Sequence, residues 1–251
     1  MATIYGDDWP NLLDGTSRQD VIYGFGCDDD LYGFGGNDDI YGGWGYDILV
    51  GGNGNDYLNG GDGPDDLHGG SGNDNLIGGY GFDFLFGDSG NDRISGGANY
   101  DNLYGGSGRD SLSGGSSDDL LNGGSGQDRL TGGTGDDAFQ FTRGSSGITS
   151  ASADTITDWR PATDWIATRI AGTSANYREA ATSAVSIEEA ASQAETTFTS
   201  ASISHVFLYN AQTDTGYLLS DLNNDNQFET GVILTGAGSA ADMNYRYIIN
   251  L

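Results

Sequence analysis

Aspartate returns every nine residues through the first 140 positions, at Asp20, Asp29, Asp38, Asp47, Asp56, Asp65, Asp74, Asp83, Asp92, Asp101, Asp110, Asp119, Asp128 and Asp137, with Asn11 at the place where the series would begin. Glycine stands five residues before each of these fifteen positions, from Gly6 to Gly132, and a large apolar residue stands two after, from Leu13 to Phe139. Glycine also holds the second and fourth places of the nine-residue unit ten times each. Glycines so placed point to backbone angles that a residue with a Cβ reaches only at a cost. Turns of that kind aim several carbonyl oxygens into one small space, and the carboxylate at the sixth place faces the same space. Converging carbonyl and carboxylate oxygens suit a hard cation such as calcium.

Other chemistry finds little support. The two histidines, His68 and His205, lie far apart in the chain, and neither H-E-x-x-H nor G-x-S-x-G occurs. A zinc site or a histidine-activated nucleophile needs closer company. Adjacent pairs such as Asp65 and Asp66 could imitate a glycosidase dyad, but their phase gives the first to metal and leaves the second on the outside of a strand. No catalytic residue and no organic cofactor is expected.

The elements that must position the carboxylates follow from the same period. From Gly6 to Gln140 the chain divides into fifteen units without insertion or deletion. Three flanking or apolar residues followed by six of Gly, Asp and Asn read as a three-residue strand and a tight turn, and exclude a helix. The eighth residue of each unit points inward, and the seventh and ninth point outward, so alternate units line opposite faces. Counting odd units, the outward residues include Tyr32, Ile48, Val50, His68, Phe84, Phe86 and Tyr104, an apolar face expected to pack either on the C-terminal segment or on another copy of the protein. Among the third-place residues, Asn53, Asp62, Ser71, Ser89, Ser107, Ser116 and Ser125 read as turn formers bonding their own backbone, with an added ligand oxygen as the alternative.

These units resemble the GGxGxDxUx nonapeptide of the RTX (repeats-in-toxin) family over positions 6 to 140. The resemblance implies an all-β dominated fold, a right-handed parallel β-roll of fifteen nonapeptide repeats in which two units make one coil. It also implies Ca2+ ions between stacked turns, each held by aspartates of units i and i+2 and by loop carbonyls. RTX proteins leave the cell unfolded through a type I secretion apparatus that reads an uncleaved C-terminal signal, so the resemblance further implies a secreted chain, extracellular or at a cell surface. Lysine is absent, which removes the amines that RTX cytolysins acylate and weighs against a pore-forming toxin.

Composition agrees with that reading. The formal charge is -28, with 37 acidic residues against nine arginines, which excludes nucleic acid as a partner and disfavours anionic membranes. A merely solvating acidic tract has no reason to keep phase, whereas 25 of the acids lie in the repeats. Stacking aspartates about 5 Å apart costs on the order of 1 to 3 kcal/mol per neighbouring pair without a counter-charge. The chain is therefore expected to be unfolded in calcium-poor cytoplasm and folded where calcium is near millimolar, as at weak extracellular sites. One cysteine, Cys27, allows no internal disulfide. Met1 to Tyr5 show no signal-peptide pattern, and no stretch is long and apolar enough to span a bilayer.

The expected division is a calcium-binding β-roll over 1–141 and an α+β capping region with the export signal over 142–251. At the start, Trp9 and Pro10 read as a cap over the end of the stack. Beyond the repeats, Thr155 to Trp159 and Thr163 to Ile166 resemble the D-x-I-x-D-F…D-x-I segment that closes the roll in serralysin-type C-terminal regions. A capping box of Ser186 and Glu189 predicts a helix running on through Ala190, Ala191, Ala194 and Phe198. Strands are predicted at His205–Tyr209, Tyr217–Ser220 and Gly231–Thr235, with a closing strand in Tyr245–Leu251. Asp221, Asn223 and Asp225 have the spacing of half an EF-hand loop, read equally as one further calcium site or a plain polar turn.

The function expected from all this is that of a non-catalytic calcium-binding protein that folds outside the cell, an extracellular or surface component that associates with itself or with a cell-surface polymer. The alternative is the export and folding module of a type I secreted protease or lipase whose catalytic domain lies elsewhere.

Overall fold

Alternate repeats fall on opposite sides of a flattened coil, so one run of sequence builds two parallel sheets. The computed structural model describes residues 1–141, 145–147, 152–160, 163–168, 177–181, 184, 186–197, 205–220, 228, 230–235 and 248–250. The first sheet begins with β1 (Thr3–Tyr5), β3 (Val21–Gly26), β5 (Asp39–Trp44), β7 (Tyr57–Asp62), β9 (Asn75–Tyr80), β11 (Arg93–Ala98), β13 (Ser111–Ser116) and β15 (Arg129–Thr134). The second begins with β2 (Leu12–Thr16), β4 (Asp30–Phe34), β6 (Ile48–Asn53), β8 (Asp66–Ser71), β10 (Phe84–Ser89), β12 (Asn102–Gly108), β14 (Leu120–Gly126) and β16 (Ala138–Gln140). Neighbouring strands pair two units apart, as in Leu58 opposite Leu76 and Leu67 opposite Leu85. Two units thus complete one turn of a parallel β-roll of about eight turns.

Most of the strands are longer than the three residues expected. β7, for example, takes in Gly60, Gly61 and Asp62, because the first three places of each unit continue the ladder and only places four to six turn the chain. The eighth-place side chains, from Ile22 to Phe139, are 0–2 % exposed and form two facing stacks. Burying each contributes about 1.5–3 kcal/mol.

The coil outlasts the repeats. β17 (Asp154–Ile156) lies on β15 with Ile156 opposite Leu130, and β18 (Trp165–Thr168) lies on β16 with Ile166 opposite Phe139. β19 (Tyr177–Ala181), α1 (Ile187–Thr197), β20 (His205–Asn210), β21 (Thr215–Ser220), β22 (Thr230–Thr235) and β23 (Ile248–Asn250) follow. The first sheet runs on as β17-β22-β21-β20-β19 and the second as β18-β23. Here β20, β21 and β22 are antiparallel neighbours. The Ser186 hydroxyl accepts the Glu189 N–H at 3.3 Å, as the capping box predicts. Ile187, Ala190, Ala191 and Ala194 make one buried face of α1, with the i, i+3, i+4, i+7 spacing of an amphipathic helix. Phe198 lies outside the described residues.

Three expectations change. Trp9 is 73 % exposed and Pro10 is exposed, so neither shields the end of the stack; both sit in a turn, at the edge of the coil. Nor is an apolar outer face peculiar to the odd units. His68, Phe86 and Tyr104 stack along the second sheet, while Tyr5, Tyr23, Tyr41 and Tyr57 follow one another along the first. Third-place serines bond the neighbouring coil instead of their own backbone, as Ser89 does to the Gly70 carbonyl at 3.2 Å.

Candidate metal centre

The sixth-place aspartates form two columns, one per edge of the roll. One runs Asp20, Asp38, Asp56, Asp74, Asp92, Asp110, Asp128; the other runs Asp29, Asp47, Asp65, Asp83, Asp101, Asp119, Asp137. All fourteen are 0–3 % exposed. From Asp38 to Asp137, with Asp29 apart, Oδ1 of each accepts the backbone N–H of the aspartate one coil earlier at 2.8–3.0 Å. Asp29 Oδ1 takes the Asn11 N–H at 2.7 Å.

The other oxygen is the informative one. Oδ2 of all twelve aspartates from Asp29 to Asp128 is buried with no hydrogen-bond partner. Buried carboxylate oxygens are ordinarily satisfied, and an ionised one left bare is costly. Burial, opposed by the backbone N–H, pushes Asp65 and Asp101 up to about 8, Asp92 and Asp119 to about 7, and Asp38, Asp47, Asp56, Asp74, Asp83 and Asp110 to about 6. A cation against these oxygens removes that cost.

Glycine is required at two kinds of place for two different reasons. A Cβ on Gly51 would lie 2.5 Å from Asp56 Oδ2 and 2.8 Å from the Gly69 carbonyl oxygen, so the first place must be bare for the carboxylate and the next coil to approach. Gly52 and Gly54 instead adopt φ of 103° and 142°, which disfavours side chains at places two and four. Phe25, Cys27, Phe34, Asp88, Asn99 and Ser117 occupy those places and hold positive φ nonetheless.

The ends of the columns differ from their middles. Asp20 Oδ2 accepts the Thr16 hydroxyl at 2.6 Å and the Thr16 N–H at 2.8 Å, and this hydroxyl leads the causes that lower its pKa. Asp137 Oδ2 accepts Arg160 Nη2 at 2.8 Å. The same nitrogen donates to the Gly135 carbonyl at 2.7 Å and to Asp164 Oδ1 at 3.2 Å. A fourth-place carbonyl, the carboxylate of its own unit and the carboxylate of the next coil therefore converge on a positive charge supplied by the chain.

That donor set fits calcium: hard oxygens, part carboxylate and part carbonyl. Among the described residues no three His, Cys, Asp or Glu side chains cluster, so backbone carbonyls must supply much of any coordination shell. Of the residues expected to ligate, the twelve from Asp29 to Asp128 present free oxygens, whereas Asp20 and Asp137 are satisfied within the protein. Asp221, Asn223 and Asp225 lie outside the described residues. Asp154 and Asp164 went unread as members of the columns, although Asp154-Thr155-Ile156 and Asp164-Trp165-Ile166 keep the D-x-U signal after the glycines are lost.

The RTX calcium-binding nonapeptide repeat matches residues 5–40, 14–49, 32–67, 41–76, 68–103 and 104–139. No curated protein is significantly similar in sequence. Two solution structures from the Azotobacter vinelandii mannuronan C5-epimerase are similar. The AlgE6R3 subunit shares 25 % identity over 75 % of this chain and 78 % of its own, with a TM-score of 0.34. The AlgE6R2 subunit shares 26 % over 62 % and 90 %, with a TM-score of 0.39.

Proposed function

The chain belongs to the family of RTX calcium-binding nonapeptide repeats, and from that premise we propose that it is a secreted, non-catalytic protein whose β-roll is switched on by calcium outside the cell. The observation that carries this reading is the pair of columns with twelve bare, buried Oδ2 atoms. Each aspartate uses one oxygen to clamp the coil before it and keeps the other for the cation. Bound calcium supplies the positive charge that lets neighbouring carboxylates stay ionised in a dry interior. Below the calcium level that fills the columns, repulsion between coils keeps the chain open, which suits passage through a type I secretion apparatus.

Among the described residues one histidine meets a hydroxyl, His205 Nδ1 at 2.9 Å from Ser220 Oγ, and both are buried away from any substrate. His68 stacks on Phe86 at the outer face beside Asp66. Exposed aromatic side chains of the odd units, Trp44 and Tyr80 at strand ends and Phe82 and Tyr100 in turns, support self-association or contact with a cell-surface polymer. Among the described residues no helix is long and apolar enough to cross a membrane.

Circular dichroism tests the switch. Chelated protein should give a coil spectrum, and calcium should restore β signal cooperatively, with magnesium a poor substitute because its octahedral shell prefers water. Asp74→Ala and Asp92→Ala should lower the cooperativity more than Asp20→Ala, whose carboxylate already has Thr16; equal effects would overturn a stacked array. Fractionation of native culture with and without chelator checks location.

A further inference from the structure

The two columns run past the last repeat and end on different chemistry. In the first, Asp154 takes the next place after Asp128 although 26 residues separate them: its Oδ1 accepts the Asp128 N–H at 2.8 Å, as each aspartate before it does for its neighbour. Asp154 is 0 % exposed, and its Oδ2, like that of Asp128, has no partner. Its backbone N–H donates to Ser146 Oγ at 2.8 Å, and that hydroxyl donates to the Gly231 carbonyl at 2.7 Å. The carboxylate is therefore held in phase by the C-terminal strands and by no glycine turn of its own.

In the second column Asp164 follows Asp137, and here no oxygen is left bare. Arg160 Nη2 bridges Asp137 Oδ2 and Asp164 Oδ1, and the Arg160 N–H donates to Asp164 Oδ2 at 2.8 Å. A guanidinium cannot be deprotonated in a protein, so this position carries its positive charge at every calcium concentration.

We propose that the columns close on different cations: a calcium ion between Asp128 and Asp154, beyond the nonapeptide repeats, and the Arg160 guanidinium, in place of calcium, between Asp137 and Asp164. This rests on the reading of the columns as calcium sites. The arginine end needs no metal, so it is ordered first and gives the filling of the second column a fixed starting edge. The Asp154 end joins the strands beyond the repeats to the calcium-dependent part, because its backbone is tied through Ser146 to β22.

Native mass spectrometry of the calcium-loaded full chain counts the ions. Asp154→Asn should hold one calcium fewer than the parent. Arg160→Met, which keeps the apolar stem and bares Asp137 Oδ2, should hold one more and fold at a higher calcium midpoint. Asp74→Asn is the control for the underlying reading: if it loses no ion, the columns themselves are not calcium sites. If Asp74→Asn loses an ion while either Asp154→Asn or Arg160→Met leaves the count unchanged, the different endings are overturned and the columns stand. Asp154→Ser, which keeps an acceptor oxygen near the Asp128 N–H, replaces Asp154→Asn should that variant lack β signal in calcium.

Discussion

The repeats and the strands beyond them share two sheets yet are held together differently. A repeat buries one large apolar side chain inward in nine residues and leaves a carboxylate oxygen beside it bare, as Leu58 and Asp56 do. β20 is buried along its whole length, because Val206 and Leu208 meet the α1 side while Phe207 and Tyr209 join the core of the roll. One region leaves buried carboxylate charge that, in the proposed function, a cation offsets. The other has apolar burial on both faces and an antiparallel ladder from Thr215 to Ser220. The proposed calcium dependence therefore belongs to the parallel coils, while the antiparallel strands beyond them are built on apolar burial.

Removing calcium should divide the two regions most sharply. On chelation, amide hydrogen exchange in β7 should lose about a thousandfold or more of its protection, approaching the open chain, while the β20–β21 hairpin should lose far less. Equal loss would make the molecule one cooperative unit and erase the contrast.

Gly51→Val comes next. Its side chain would collide with Asp56 Oδ2 and the Gly69 carbonyl, so urea denaturation in calcium should show a loss of about 3 kcal/mol or more, the range for overpacking with a displaced buried charge. The loss should be confined to the repeats.

Acidity should act on the chelated repeats in a direction set by their raised carboxyls. Asp65 and Asp101 lie near 8 in the folded state against 3.8 as the ordinary value, so the fold binds more protons than the open chain between those limits. Its stability without metal therefore falls as pH rises from about 4 to about 8. Chelated protein should show more β signal at pH 5 than at pH 8; the reverse order would mean that these carboxyls are not buried in the metal-free state.

The smallest effect belongs to the turns. Ser117 holds φ of 84° at a fourth place where glycine is usual. Ser117→Gly should stabilise the calcium-loaded protein by about 1 kcal/mol, the cost of a left-handed residue with a Cβ, visible as a raised denaturation midpoint.

The period alone made much of this legible. Glycine at the first place, aspartate at the sixth and an apolar residue at the eighth state which side chains face inward and which oxygens gather. A nine-residue step in a two-sheet coil leaves no other phase. The strands at His205, Tyr217 and Gly231 and the helix cap at Ser186 were legible too, because their alternation and capping are local. The reach of each strand into its glycines was not, since those residues have no side chain to carry an alternating pattern. Nor could the order of the C-terminal strands, with β22 beside β17, be read from a segment without a repeat.

What the sequence determined by itself is the chemistry: acidic turns in strict phase, an apolar spine and the calcium that their oxygens suit. What only the tertiary structure decided is which oxygens are spoken for. Arg160 reaches Asp137 from beyond the repeats, while Asp154 arrives 26 residues late in the place the next repeat would fill. Local spacing sets the direction of a side chain, but a partner from outside the period is fixed by how the coils stack.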